Sequence, residues 1–262
     1  MANGEIGNVS VKSMMTRPVA TVSRKTTVKA AVNKMAKKNL SCIVIAEKKF
    51  PIGIFTKFDL LVFLNSGGDF GSTAIETVMH TPVMSIEETD NIFSAAEQMK
   101  NLRVRRFIVV DAGHRLSGIV TNGDVIRAFA QRALDNSRTL STLVQPGIVA
   151  TPKTPLKKIV KMMVENRASC VVILRNGKPV GIVTDVVIAR LADKSRKPLA
   201  GRAETKMLKK FGKAADSALL RDTIVNMVKM KTREIVVTSA DGRYVGFISQ
   251  RDVVSLIEAN PA

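Results

Sequence analysis

The chain has 262 residues, 45% of them apolar, which is enough for a packed core built mostly from branched aliphatic side chains, since there are ten Phe, one Tyr and no Trp. Lys and Arg outnumber Asp and Glu by 41 to 22, a formal charge of +19 that favours polyanionic partners: nucleotides, nucleic acid or acidic surfaces. No run of 18 apolar residues is present to span a membrane, the first ten residues lack the apolar stretch of a secretory leader, and two isolated cysteines are expected to be buried thiols in a reducing cytoplasm.

The first predicted helix opens after Thr26-Thr27, where Val28, Ala31, Val32 and Met35 form an i, i+3, i+4, i+7 face. Two apolar runs follow at 43–45 and 52–55, then a second helix at 60–64. The pattern returns 64 residues later: Thr89-Asp90, the stripe Ile92, Ala95, Ala96, Met99, runs at 107–110 and 116–120 around Asp111-Ala112-Gly113, and a helix at 125–129. A third copy has Thr154-Pro155, with the proline suited to the first helical turn, and the stripe Leu156, Ile159, Val160, Met163. Its runs at 171–174 and 180–183 flank the hairpin signal Asn176-Gly177, and a helix follows at 186–191. The fourth has Asp216-Ser217, the stripe Leu220, Thr223, Ile224, Met227, runs at 235–237 and 244–248 around Asp241-Gly242, and a helix at 253–257. Each second run reads as opening on Gly: Gly53, Gly118, Gly181, Gly246.

The unit is strand, helix, two-strand hairpin, helix. One such unit leaves part of its sheet uncovered, so units are expected to pack in pairs. Ser41-Cys42 and Ser169-Cys170 lie 128 residues apart, as do Arg105 and Arg233, which indicates two similar halves of unlike repeats. The expected division is 1–134 and 135–262, with repeats at about 9–65, 73–134, 139–193 and 203–260. Charge is uneven: residues 6–46 carry eight basic residues and no acid, residues 60–99 six acids and no base, and residues 190–213 nine basic residues against Asp193 and Glu204.

The second hairpin strand ends on Gly-apolar-apolar-Thr/Ser-x-x-Asp in three copies: Thr56 and Asp59, Thr121 and Asp124, Ser249 and Asp252. That spacing is also a helix capping box, which needs no ligand. The third copy departs, with Thr184 followed by Val187 where the Asp should stand and Asp185 two places early. Segments ahead of the first strands match in the first two copies, Met14-Met15-Thr16-Arg17-Pro18-Val19 and Val78-Met79-His80-Thr81-Pro82-Val83.

On these motifs, three complete and one altered, in register with four helices, the chain resembles the CBS-domain family (cystathionine β-synthase domains). The resemblance implies an α/β (α+β) fold of four β-α-β-β-α repeats paired into two Bateman modules, which can close into a flat disk as in the γ subunit of AMP-activated protein kinase. It implies clefts for AMP, ADP, ATP or related adenosyl ligands, used in regulation and energy sensing, with no catalysis and no catalytic cofactor. In that family the motif Asp accepts the ribose hydroxyls with the Thr/Ser beside it. Carried over, Thr56, Asp59, Thr121, Asp124, Ser249 and Asp252 would face ribose, and Pro18, Val19, Pro82 and Val83 would face adenine. Arg105, Arg106 and Arg233 would face phosphate, for which guanidinium geometry is suited. The chemistry is coherent, because a carboxylate can accept two vicinal hydroxyls and a helix N-terminus favours phosphate. Val187 cannot accept a ribose hydroxyl, so the Thr184 cleft is expected to be empty or to bind differently.

His80 and His114 share no metal-ligand spacing with the cysteines, no Ser/His/Asp or Cys/His set is apparent, and no phosphate loop of the Gly-x-x-x-x-Gly-Lys type exists. An enzyme is therefore not expected. The expected partners are an adenosyl ligand and a second copy of the chain or another protein. Two alternatives stand beside this reading: nucleic-acid binding through the basic patches, with few aromatics for base stacking, and a ligand-free dimerisation scaffold.

Overall fold

The computed structural model describes residues 9–130, 138–195 and 197–256, the side chain of residue 129 excepted. Repeat one comprises α1 (Val11–Met14), β1 (Thr21–Val22), α2 (Val28–Lys37), β2 (Cys42–Glu47), β3 (Phe50–Thr56) and α3 (Lys57–Asn65). Repeat two has β4 (Ser85–Glu87), α4 (Ile92–Asn101), β5 (Arg106–Val110), β6 (Leu116–Thr121) and α5 (Asn122–Phe129). Repeat three has β7 (Val149–Ala150), α6 (Leu156–Glu165), β8 (Cys170–Arg175), β9 (Lys178–Thr184) and α7 (Asp185–Lys194). Repeat four has α8 (Ala203–Lys206), β10 (Lys213–Ala215), α9 (Leu220–Lys229), β11 (Glu234–Thr238), β12 (Tyr244–Ser249) and α10 (Gln250–Ser255).

Each repeat forms one three-stranded sheet with its middle strand parallel to the first and antiparallel to the third. The fold class is thus the mixed α and β arrangement expected, with one small sheet per repeat. All four helical stripes are buried, and Met35, Met99, Met163 and Met227 are core residues. The glycines lie inside the third strands rather than at their starts; β3 and β9 begin two residues ahead of the apolar runs at 52 and 180, while β6 and β12 begin with the runs at 116 and 244. Repeat one closes its hairpin on Lys48 and Lys49, both with positive φ, where repeat three uses Asn176-Gly177. Helix starts also differ in part. Thr27 caps α2 as expected, but Asn91 caps α4, Leu219 precedes α9 without a side-chain bond, and Pro155 occupies the cap position rather than the first turn.

Sheets of repeats one and two pack face to face through Cys42, Val44, Ile108, Val110 and Ile119, and those of repeats three and four through Val172, Ile182 and Val236. Helices make the other contacts. Leu61 of α3 enters the core of repeat three, Ala189 and Ala192 of α7 enter that of repeat one, and repeats two and four share a single apolar cluster. Every repeat therefore meets one neighbour through its sheet and another through its helices.

The segments leading into each repeat cross to the paired repeat. Thr16 bridges Ile119, His80 bridges Ile54, Gln145 bridges Phe247 and Leu208 bridges Ile182. The strand glycines allow this approach, since a Cβ at Gly118 would lie 2.3 Å from Met15 Sδ, and one at Gly53 2.2 Å from Met79 Sδ. At Gly246 a Cβ would meet the Gln145 carbonyl oxygen at 2.5 Å, and a backbone atom cannot swing aside as a thioether can. Gly246→Ala is expected to cost about 1–3 kcal/mol by overpacking, read as a lower urea midpoint; an unchanged midpoint would refute the tight approach.

Candidate functional site

The three Thr/Ser-x-x-Asp motifs all stand at helix starts. In α3, Thr56 Oγ1 accepts from Phe58 N and Asp59 N, while Thr56 N donates to Asp59 Oδ2 at 2.7 Å. In α5, Thr121 N and Thr121 Oγ1 donate to Asp124 Oδ2 at 2.8 and 2.6 Å. In α10, Ser249 N and Oγ both donate to Asp252 Oδ2 at 2.7 Å. One carboxylate oxygen of each Asp is thus committed to the cap, as the capping reading requires.

The second oxygen differs among them. Asp59 Oδ1 lies 2.8 Å from His80 Nε2, and Asp124 Oδ1 pairs with Arg127. Asp252 Oδ1 has no protein partner among the described residues. In α7, Thr184 accepts only the Val187 N–H, consistent with the missing carboxylate.

Crossing of the lead-in segments decides which candidates meet. Pro18 and Val19 belong to a segment that reaches the repeat-two strand ending at Thr121, while Pro82 and Val83 belong to the one that reaches the strand ending at Thr56. Val19 and Val83 pack on the sheet-to-sheet cluster, and Pro18 and Pro82 are exposed. Each lead-in thus lies against the strand that carries the motif of its partner repeat.

The phosphate candidates converge. A crevice of about 80 Å³ is lined by Ser41, Arg105, Arg106, Thr121, Asn122, Ser169, Arg233, Glu234, Ser249, Gln250 and Arg251, drawn from all four repeats. It holds two of the three motif hydroxyls. Arg106 Nη1 donates to the Ser41 carbonyl at 3.3 Å. Arg233 is already engaged: it pairs with Asp185, whose side chain is 4% exposed, and it neighbours Glu234, to which Ser169 Oγ donates at 2.6 Å. Burial drives the Arg233 guanidinium down, but the adjacent Asp185 and Glu234 outweigh it and hold it above its ordinary value. Arg105 has no such partner among the described residues; burial, with Arg251 and Arg233 nearby, pushes it down to about 10. Burial also lowers the Lys57 ammonium, assisted by Arg233, Arg190 and Arg106 and opposed by Asp185. For both groups the unfolded chain holds protons more tightly, so their burial costs stability at neutral pH, and the cost fades as pH rises through the folded values.

Asn122, Gln250 and Arg251 also line the crevice and were not singled out from sequence. Aligning the two halves at the 128-residue spacing would have placed them, since Asn122 matches Gln250 and Gly123 matches Arg251. Cys42 and Cys170 are free and lie at the two sheet-to-sheet contacts; burial raises the Cys170 thiol. Among the described residues there is no cluster of three or more His, Cys, Asp or Glu fit to hold a metal ion, and no helix long and apolar enough to cross a membrane.

The CBS domain model matches residues 11–66, 75–131, 142–192 and 207–259. Relatives include an uncharacterized protein of Methanopyrus kandleri, 31% identical over 153 residues, covering 58% of this chain and 70% of that one. CBS domain-containing protein YhcV of Bacillus subtilis is 33% identical over 116 residues, covering 44% and 82%. Among solved structures, a Methanocaldococcus jannaschii protein proposed as an archaeal homologue of γ-AMPK superposes with a TM-score of 0.86 at 22% identity, covering 95% of this chain and 99% of that one. With four matched repeats, paired sheets and a shared helical core, the chain belongs to the CBS domain family.

Proposed function

We propose that this chain is a non-catalytic regulatory module that binds an adenosyl ligand of the AMP, ADP or ATP type and acts on a partner protein or on its own assembly, in the cytoplasm. The observation that carries the reading is Asp252: its Oδ2 is spent on the cap, while its Oδ1 has no protein partner among the described residues, on a helix whose first residues, Gln250 and Arg251, line a crevice rich in arginine. A ribose hydroxyl is a natural donor to that oxygen. At Asp59 and Asp124 the same place is taken by His80 and Arg127, side chains 72% and 53% exposed that a ligand can displace. We further infer the two-module division at 134/135, supported by the sheet pairing; that boundary, the repeat ends at 134 and 260, and Ile257 lie outside the described residues.

Titration calorimetry with AMP, ADP and ATP tests the reading. Asp252→Ala is expected to weaken binding about tenfold to a hundredfold, the worth of a hydrogen bond to a charged group. No heat with any adenosyl ligand would refute it. A second reading, polyanion binding, draws on an open groove of about 560 Å³ lined by Lys157, Lys158 and Lys161. Oligonucleotide retention at physiological salt without adenosyl heat would favour that reading instead.

A further inference from the structure

Helices α3 and α7 cross to the other half at equivalent places, α3 packing on α6 and α7 on α2. Residues 128 apart match across these two seams, so one seam is a template for the other. Between α2 and α7, Asn33 reaches across. Its amide, in the orientation that gives both polar atoms partners, donates to Asp193 Oδ1 at 3.0 Å and to the Lys29 carbonyl at 3.1 Å. Asn33 and Asp193 are both half-buried there. A carboxylate is therefore part of the closed form of this seam.

The seam of α3 and α6 lacks that carboxylate. Asn65 stands where Asp193 does, Lys161 where Asn33 does and Lys158 where Ala30 does, while Lys157 matches Lys29. Leu61 and Leu64 take the places of Ala189 and Ala192, and bulkier side chains at a contact hold helices further apart. Here lies the open groove of about 560 Å³, lined by the three lysines, Asn65, Pro155, Met162 and Glu165. All of these but Met162 are exposed. Among the described residues Lys161 has one loose ion pair, with Glu165 at 3.7 Å, and Lys157 and Lys158 have no carboxylate within ion-pair distance.

We infer that this groove docks an acidic segment of a partner protein, whose carboxylates take the place that Asp193 holds in the closed seam and whose aliphatic side chains lie on Pro155 and Met162. Nucleic acid fits it less well. Lys157 to Lys161 covers about 6 Å along the helix, enough to neutralise only a couple of phosphates, and affinity for nucleic acid grows with the number neutralised. Glu165 stands one turn beyond Lys161 and opposes a continuing phosphate chain. Among the described residues no arginine or aromatic side chain lines the groove for bidentate contact or base stacking. Because α3 belongs to the first half and α6 to the second, an occupant touches both. The inference narrows the polyanion reading above to an acidic polypeptide and is independent of the adenosyl one.

Calorimetry on the full chain at physiological salt tests this, with three separate titrants: a short Glu-rich peptide with interspersed Leu, the same peptide with Gln for Glu, and an oligothymidylate of matched charge. The Glu peptide is expected to bind at one site and the Gln peptide not to bind. Lys158→Glu with Lys161→Glu should weaken the Glu peptide about tenfold or more. Lys37→Glu with Lys38→Glu, the same change in net charge on exposed residues at the end of α2, should alter it less than about twofold. Asn65→Asp, an exposed position, returns the template's carboxylate to the groove and should weaken the peptide several-fold with the urea midpoint unchanged or raised. Equal losses in the two double variants would overturn the inference, as would an oligothymidylate that binds more tightly than the peptide and depends on Lys158 and Lys161. Absence of peptide heat would also overturn it and leave the adenosyl reading standing. Oligothymidylate heat in that case would preserve the broader polyanion reading, and its absence would end both. Peptide heat without adenosyl heat would support the inference and refute the adenosyl reading.

Discussion

Arg233→Ala is expected to lower the unfolding free energy by about 3–5 kcal/mol, among the largest effects of any single change in this protein. The side chain itself is only partly enclosed, with 26% exposed, but its partners are not: Asp185 is 3% and Glu234 7% exposed. Truncation leaves two carboxylates desolvated with no cation in contact. Lys57 is near enough to attract Asp185 but not to pair with it. Urea unfolding at neutral pH checks the expectation, and in a chain of this size the melting temperature should fall on the order of 10 °C. A variant that also carries Asp185→Asn and Glu234→Gln should recover most of the loss, because replacing every member of a buried ion cluster is far milder than removing one. A single-variant loss below about 1 kcal/mol would mean that the two carboxylates are solvated.

Phe107→Ala is expected to cost a similar amount, about 3–5 kcal/mol, for a different reason. Phe107 is 1% exposed on β5 and faces the cluster that repeats two and four share, with Ile92, Met99 and Val120 from its own repeat and Leu220, Ile224 and Met227 from the other. A cavity there sits in one continuous core rather than in a core private to the first half. Denaturation should therefore remain a single transition shifted to lower urea, followed by circular dichroism. Two separated transitions, one of them unmoved, would show that repeats two and four unfold independently across that cluster.

Much of the fold was legible because four helical stripes recur at a fixed spacing and each contains a methionine that the core needs. Strand limits were less so: Lys178 looks like a turn residue by type and Phe50 stands between a lysine pair and Pro51, yet both pair in register with their neighbours. The Lys48-Lys49 turn has no Asn or Gly to announce it. Capping was readable at Thr27 and at the Thr/Ser-x-x-Asp boxes, where the signal is local. It was misread at Thr89-Asp90, where Asp90 instead accepts the Glu87 N–H, and at Asp216-Ser217, because hydroxyls and carboxylates are common in any loop. The site divided in the same way. The motif carboxylates were visible as a pattern. That Asp59 meets His80, Asp124 meets Arg127 and Arg233 meets Asp185 depends on how distant segments cross, which no periodicity encodes.

The crossing segments have one more consequence. In each sheet the third strand is outermost, and its free side is touched by the neighbour's lead-in through a reciprocal pair of main-chain bonds, such as Thr16 N to Ile119 O at 2.8 Å and Ile119 N to Thr16 O at 3.2 Å. Each unit thereby shields the other's ribbon from pairing with strangers. A unit expressed by itself would present that bare margin to solvent and to other molecules, a template for strand addition and for insoluble assembly. Duplication in this architecture is thus a form of mutual protection, and the smallest piece that can be handled safely is a pair.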